Sequence, residues 1–345
     1  MVRSIHLLRG VAILFIVIGH TLFSDTEVSE GRALVLNFFK GGTVLFVFIS
    51  GFLFERVFLK RFDYKTFATR RLSKLLQPYL LISLPAIFLV ATFYPEATHM
   101  SFGPENGEGL YVQTIRPLMI ALLTGTYLSA YWYVPFAVLL FLCAPLHVLY
   151  ARQSLPRQLI ILAPLFALAL VLQRPSYNMM PPQSMVYLTP VYLLGITVSA
   201  QWDSWRPYIR KGFAPALAAA ALLTVAQVQA GHVGNYYRDP LGPLNGVDLM
   251  LLQKLCLTFG LLGLLEVLSE KRHALLDVLA EYSFGMFFLH FLVILVLYNE
   301  LGAPAMPRLW MTEALFVTEV VLGTLLLSVV LKRLLGRNSY RLIGC

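Results

Sequence analysis

The chain has little charge and few cysteines for its length. Only 13% of its 345 residues are Asp, Glu, Lys or Arg, about half the ~25% of a soluble domain. Its three cysteines, Cys143, Cys256 and Cys345, show no metal-ligand spacing, and two of them lie inside apolar runs. We therefore predict neither a disulfide framework nor a metal site.

Acidic residues are scarcer than basic ones, 18 against 27, which gives a net charge of +9. Such a balance raises the possibility of nucleic-acid binding. However, the basic residues cluster beside the ends of apolar segments, as membrane orientation requires. The sequence therefore predicts membrane lipids as surroundings and no nucleic-acid partner.

Hydrophobic residues make up 58% of the chain. They form continuous runs and do not alternate with polar residues, which excludes a transmembrane β-barrel. We predict an all-α, polytopic integral membrane protein that forms one domain over residues 1–345, with no internal repeat. Apolar runs long enough to span a bilayer occur at about 5–23, 36–58, 76–94, 131–150, 158–173, 185–200, 213–230, 247–268, 277–299 and 312–335.

A further apolar run, 115–128, is short, and the positive-inside rule decides how to count it. With ten spans and both termini in the cytoplasm, the basic segment 56–74 and most other Lys and Arg residues face inward. An eleventh span would move Arg206, Arg210 and Lys271 outside. We therefore predict about ten transmembrane helices plus one re-entrant or interfacial helix at 115–128.

The first predicted span carries ionisable residues at its two ends, Arg9 and His20. Their spacing of eleven residues corresponds to ~1100° of rotation and ~16 Å of rise, so both side chains share one helix face. Ionisable residues in a span are candidates for a functional site. A snorkelling arginine and a hydrogen-bonded histidine are the ordinary alternative.

Further motifs follow along the chain, and each alone has an ordinary structural explanation. Ser50 lies in a glycine-containing helix, where small residues usually allow close helix packing. Arg70, Arg71 and Lys74 form part of a basic loop that is able to hold phosphate groups. Trp132 lies in an aromatic stretch typical of a membrane interface. Ser283 and His290 are seven residues apart on one helix face.

The predicted outer loops, 95–114, 174–184 and 231–246, contain aromatic and hydrogen-bonding residues. These suit a sugar, and they equally suit an interfacial belt.

Taken in order, these motifs resemble the membrane-bound acyltransferase-3 family, in its polysaccharide O-acyltransferase form, over essentially the whole chain. The resemblance implies transfer of an acyl group, most often acetyl, from cytoplasmic acyl-CoA to a hydroxyl of an extracytoplasmic or lipid-linked glycan. Such a protein resides in the cell (inner) membrane. A soluble esterase-like domain, fused to some members, is not expected here.

The resemblance also assigns residues. Arg9 and His20 match the family's Arg-x10-His motif, with His20 as the catalytic residue. Arg70, Arg71 and Lys74 match its basic acyl-donor loop, whose Arg-x-x-Arg form is here Arg71-Leu-Ser-Lys74. The remaining matches are possible site-lining positions without assigned roles: Ser50, Trp132, Ser283 and His290.

Two mechanisms remain open, because His20 can act as a general base for direct attack or as the carrier of a covalent acyl group. The competing class is a secondary transporter or flippase without acyl-transfer chemistry. Transporters usually place carboxylates at mid-membrane, whereas the acidic residues here lie mostly near the ends of apolar runs.

Overall fold

The computed structural model describes residues 2–22, 28–93, 107–125, 127–128, 130–239, 242–244, 246–300 and 310–345. The prediction of an all-α protein is confirmed, since the described chain is almost entirely helical. The α-helices are α1 Arg3–Thr21, α2 Glu30–Phe39, α3 Thr43–Leu53, α4 Tyr64–Phe93, α5 Arg116–Thr124, α6 Tyr133–Leu142, α7 Ala144–Ala151, α8 Leu155–Leu172, α9 Pro181–Ala200, α10 Trp202–Lys211, α11 Phe213–Gln229, α12 Leu249–Leu268, α13 Ala274–Glu300, α14 Trp310–Leu335 and α15 Ser339–Leu342. Two short strands, β1 Arg174–Pro175 and β2 Tyr237–Arg238, pair in parallel.

Within the described residues, six helical segments are long and apolar enough to cross a membrane, so the chain is a multi-pass membrane protein. The number rises to eight if each of two bent helix pairs counts as one span. The pairs are α6 with α7, bent by 60°, and α10 with α11, bent by 67°. The predicted count of about ten spans is therefore not confirmed.

The predicted run 36–58 is not one continuous α-helix. It divides into α2 and α3 at Lys40–Gly42, where Gly41 adopts a φ of +80° that side-chain-bearing residues rarely tolerate. Lys254 stabilises the break, because its buried Nζ donates hydrogen bonds to the carbonyls of Asn37 and Phe38 at the end of α2. A lysine from α12 thus fixes a turn that the hydrophobic pattern does not reveal.

The short run 115–128 forms the nine-residue helix α5, preceded by a π-helical turn at Tyr111–Ile115. Nine residues rise only ~13.5 Å, less than half of the ~30 Å hydrocarbon core. The helix ends at Gly125, whose φ is +70°. Segment α5 is therefore too short to cross a membrane.

Helix α1 lies at the centre of the bundle. The apolar window of α1 is 61% buried, whereas those of α8 and the segment Glu313–Leu342 are each 17% buried and lie at the periphery. A Cβ on Gly51 would lie 1.9 Å from the carbonyl oxygen of Tyr192, and one on Gly195 would lie 2.2 Å from that of Phe48. Helices α3 and α9 therefore approach so closely that only glycine fits, as the packing interpretation of Gly51 predicts.

Candidate active site

Two cavities lie along α1. The first, here called the Arg9 cavity, has a volume of about 350 Å³. The second, the His20 cavity, has a volume of about 340 Å³. Ile16 lines both cavities, and lies about two turns from Arg9 and one turn from His20 along the helix. The ends of α1 thus open into separate spaces that meet at one side chain.

The Arg9 cavity is strongly cationic. Its lining includes four cations, Arg9, Arg71, Lys74 and Lys332, against one carboxylate, Glu281. Glu281 accepts a hydrogen bond of 2.6 Å from Lys332 Nζ, so its charge is already matched. Arg9 Nε is buried and has no hydrogen-bond partner. The cavity therefore keeps positive charge that no described side chain neutralises.

Helix geometry explains which basic residues reach the Arg9 cavity. Arg71 and Lys74 are three residues apart in α4 and share a face. The Arg71 guanidinium lies 4.3 Å from the Phe58 ring centroid, and Lys74 Nζ lies 4.6 Å from that of Tyr340. Arg70, rotated by about 100° from Arg71, is exposed and lines neither cavity.

Two of the sequence-predicted lining residues, Ser50 and Ser283, also belong to the Arg9 cavity. Ser283 Oγ donates to the carbonyl of Ala280 at 2.9 Å, so its hydroxyl proton is engaged within α13. Trp132 lies elsewhere, in the lining of the His20 cavity. The predicted lining residues are thus divided between the two spaces.

His20 and His290, 270 residues apart in the sequence, contact each other. Nδ1 of His20 lies 2.8 Å from the Ile16 carbonyl and 3.3 Å from Nε2 of His290. Nδ1 of His290 lies 3.0 Å and 2.9 Å from the carbonyls of Met286 and Phe287. Since carbonyl oxygens only accept hydrogen bonds, each Nδ1 carries the proton. His290 Nε2 is then an acceptor for the Nδ1 proton of His20.

This arrangement leaves His20 Nε2 as the unprotonated nitrogen. No hydrogen bond joins it to any residue that the structure describes, and the His20 side chain lines its cavity. An unprotonated imidazole nitrogen facing a cavity is able to take a proton from a hydroxyl group there. The geometry of His20 is thus that of a general base.

The His20 cavity also contains residues that the sequence did not single out. Lys40, Arg174, Asn178, Asn235 and Tyr237 line it together with Trp132. They come from the turn between α2 and α3 and from the loops 174–184 and 231–246, whose sugar-binding interpretation the sequence left open. The β1–β2 pairing holds these loops side by side, with Arg174 opposite Tyr237. Only this long-range pairing reveals them as one site.

The loop that follows α11 is fixed by its own contacts. His232 stacks on Tyr236 with ring centroids 3.5 Å apart, and its Nε2 lies 3.0 Å from the Gly234 carbonyl. Burial lowers the pKa of His232, which favours the neutral ring. Asn37 accepts from the Gly234 amide at 2.7 Å and donates to the His232 carbonyl at 2.8 Å. His232 is therefore a structural residue that supports one wall of the His20 cavity.

No group of three His, Cys, Asp or Glu side chains in the described part of the chain is placed to hold a metal ion. The site that these residues do form, a cationic cavity joined through Ile16 to a histidine base, defines a helical membrane protein with a candidate transfer site in its core. Residues 2–333 match the family model described as the acyltransferase domain of the acyltransferase-3 type. The chain belongs to this family and is a membrane acyltransferase, as the sequence motifs predict. No curated protein and no solved structure matches the chain.

Proposed function

We propose that the protein is an O-acyltransferase that moves an acyl group, acetyl in the simplest case, from acyl-CoA to a hydroxyl of a surface glycan. The donor binds in the Arg9 cavity and the acceptor in the His20 cavity. The observation that carries this proposal is that the two cavities lie at opposite ends of α1 and share Ile16. Donor and acceptor then meet inside the bundle without sharing an entrance.

The lining of the Arg9 cavity suits both parts of acyl-CoA. Arg9, Arg71 and Lys74 supply cations for phosphate groups, and the unpartnered Nε of Arg9 is a free donor. Apolar side chains such as Phe46 and Leu75 line the same space, as expected for a site that also holds an uncharged arm. The direction from Arg71 towards Ile16 would carry the thioester to His20.

His20 has two proton-transfer roles in this proposal. Nε2 takes the proton from the acceptor hydroxyl while that oxygen attacks the thioester carbonyl carbon. The carbon–sulfur bond then breaks, and the imidazolium returns the proton to the departing CoA sulfur, so the histidine is regenerated. The proton that His20 keeps on Nδ1 is shared with Ile16 and His290 throughout. We favour direct transfer because this tautomer presents a base to the cavity.

We further propose that the Arg9 cavity opens to the cytoplasm and the His20 cavity to the opposite face of the cell membrane. The Lys and Arg bias of the loops supports this orientation. In a background without cysteines, Lys65→Cys and Arg116→Cys place single thiols at exposed positions of α4 and α5. An impermeant thiol reagent should label only Arg116→Cys in intact cells. Labelling of Lys65→Cys would reverse the orientation.

The function is tested with purified protein in detergent. CoA should raise the melting temperature, and labelled acetyl-CoA should lose its acetyl group to a glycan acceptor in a reaction that His20→Ala abolishes. His273→Ala is the matched control, because His273 bonds only the Leu268 carbonyl at 2.8 Å and lines neither cavity. Mass spectrometry of surface polysaccharides with and without the gene identifies the acyl group and acceptor. A protein that neither binds CoA nor changes any glycan is not this enzyme.

A further inference from the structure

The His20 cavity contains two cations close to the proposed base. Lys40 lies at the break between α2 and α3, and Arg174 lies in β1. Both line the cavity and both are close enough to act electrostatically on His20. The lining includes no Asp or Glu from the described residues. The charge of this cavity is therefore positive, although a neutral sugar hydroxyl requires no such charge.

Arg174 is held in place and is incompletely paired. It is only 6% exposed, and its guanidinium carbon lies 4.9 Å from the Trp132 ring centroid. Its Nη2 has no hydrogen-bond partner. A buried guanidinium normally uses its donors on a carboxylate or phosphate, because an unpaired buried charge is costly. One donor of Arg174 is thus free to bind a ligand in the cavity.

Neighbouring cations behave differently, and this makes the observation specific. Arg32 forms a bidentate pair with Glu313, with N–O distances of 2.9 Å and 2.8 Å. Lys254 donates to two backbone carbonyls. Lys40, by contrast, is half-buried and forms no ion pair with any described residue. The two cations that lack a counter-charge are those that face the His20 cavity.

One acidic residue acts on Arg174 from nearby, but its carboxylate is already engaged. Asp248 accepts hydrogen bonds from the Tyr187 hydroxyl and from the Leu251 amide, both at 2.8 Å. It does not line the cavity. Asp248 therefore orients one side of the Arg174 environment and leaves the cavity side without an anion.

We infer that the His20 cavity binds an acidic group of the acceptor, a carboxylate or a phosphate, between Lys40 and Arg174. The group belongs either to an acidic sugar or to the phosphate of a lipid-linked saccharide. Binding this group would place a neighbouring sugar hydroxyl beside His20 Nε2. The inference rests on the proposed acyl transfer for the role of the ligand, whereas its binding test does not.

The test uses two pairs of probes that differ only in the acidic group. Methyl glucuronide is compared with methyl glucoside, and farnesyl pyrophosphate with farnesol, by the rise in melting temperature that each causes in the purified protein. The variants are Arg174→Gln, Lys40→Gln and, as control, Arg116→Gln at an exposed position on α5 that lines neither cavity. Arg174→Lys keeps the charge and should retain most binding.

We expect the acidic member of at least one pair to bind, and the neutral member to bind much more weakly. Arg174→Gln should weaken the acidic probe about tenfold or more, since a charge-assisted hydrogen bond is lost, while Arg116→Gln should have no effect. Glucuronide binding alone indicates an acidic sugar, and pyrophosphate binding alone a lipid-linked phosphate. Equal binding of acidic and neutral probes overturns the inference, as does an equal effect of Arg116→Gln. If Arg174→Gln does not fold, Lys40→Gln decides.

Two further measurements separate this inference from its competitors. CoA binding should be unchanged in Arg174→Gln. An equal loss for CoA would assign the His20 cavity to the donor and overturn the inference. In the transfer assay, Arg174→Gln should raise KM for an acidic acceptor more than it lowers kcat. Equal loss of kcat with acidic and neutral acceptors would make Arg174 a stabiliser of the transition state instead. Failure of the unmodified protein to bind CoA would contradict the proposed function alone.

Discussion

The Arg9 cavity and the His20 cavity share Ile16 but are built differently. Most cations of the Arg9 cavity lie on the helices α1, α4 and α14, and a carboxylate, Glu281, lies among them. The cations of the His20 cavity come from a helix break and a loop strand, with no described carboxylate beside them. The helix-borne cavity follows a regular spacing, whereas the other depends on loops brought together by the fold. The first suits a constant donor, and the second an acceptor that differs between proteins.

The sharpest way to break this comparison is His20→Ala. We expect transfer to fall by ~10²–10⁴-fold, the usual cost of removing a positioned general base, while CoA binding in the other cavity stays unchanged. Labelled acetyl transfer and CoA-dependent melting are measured on the same preparation. Loss of CoA binding in His20→Ala would show that the two cavities are not functionally separate.

Ile16→Phe tests the shared wall. A larger ring at this 5% exposed position should obstruct the passage between the cavities and reduce transfer by ~10²-fold, since small displacements of reacting groups cost about that much. Overpacking also costs ~1–3 kcal/mol of stability, so the melting temperature is measured in parallel. Ile16→Val, which removes one methylene, should keep most activity. Normal transfer by a folded Ile16→Phe protein would place the thioester elsewhere.

The His290 contact sharpens the assignment of the base. His290→Leu removes the acceptor of the His20 Nδ1 proton and should lower kcat by ~10–100-fold, as losses of supporting groups typically do. His290→Gln offers an amide oxygen as acceptor and should recover part of this loss. The measurement is kcat with saturating donor and acceptor. Equal activity of the leucine and glutamine variants would reduce His290 to a packing residue.

The smallest expected effect distinguishes two adjacent arginines. Arg71 lines the Arg9 cavity and Arg70 does not, although the sequence assigns both to the donor loop. Arg71→Ala should raise the Kd for CoA by about tenfold, as loss of a charge-assisted contact implies, and the difference should shrink with added salt. Arg70→Ala should change it little. Equal effects would mean that the whole loop attracts the donor by its charge alone.

Much of this molecule was predictable because its determinants are local. The continuous apolar runs required membrane helices, and the period of the α-helix put Arg9 and His20 on one face of α1. The same period separated Arg71 and Lys74 from Arg70, although the sequence alone did not show which face was buried. Span counting was less successful, since the bends at α6–α7 and α10–α11 and the break at Lys40–Gly42 arise from contacts between helices.

The sequence by itself determined the helical membrane class, the family motifs and the ionisable face of α1, because hydrophobicity and helical spacing act over a few turns. Only the tertiary structure decided that His290 contacts His20 and that Arg174 stacks on Trp132. It also decided that a loop after α11 completes the His20 cavity. These partners lie far apart along the chain, and their contacts depend on how each helix is rotated and packed against its neighbours. No local pattern encodes that rotation.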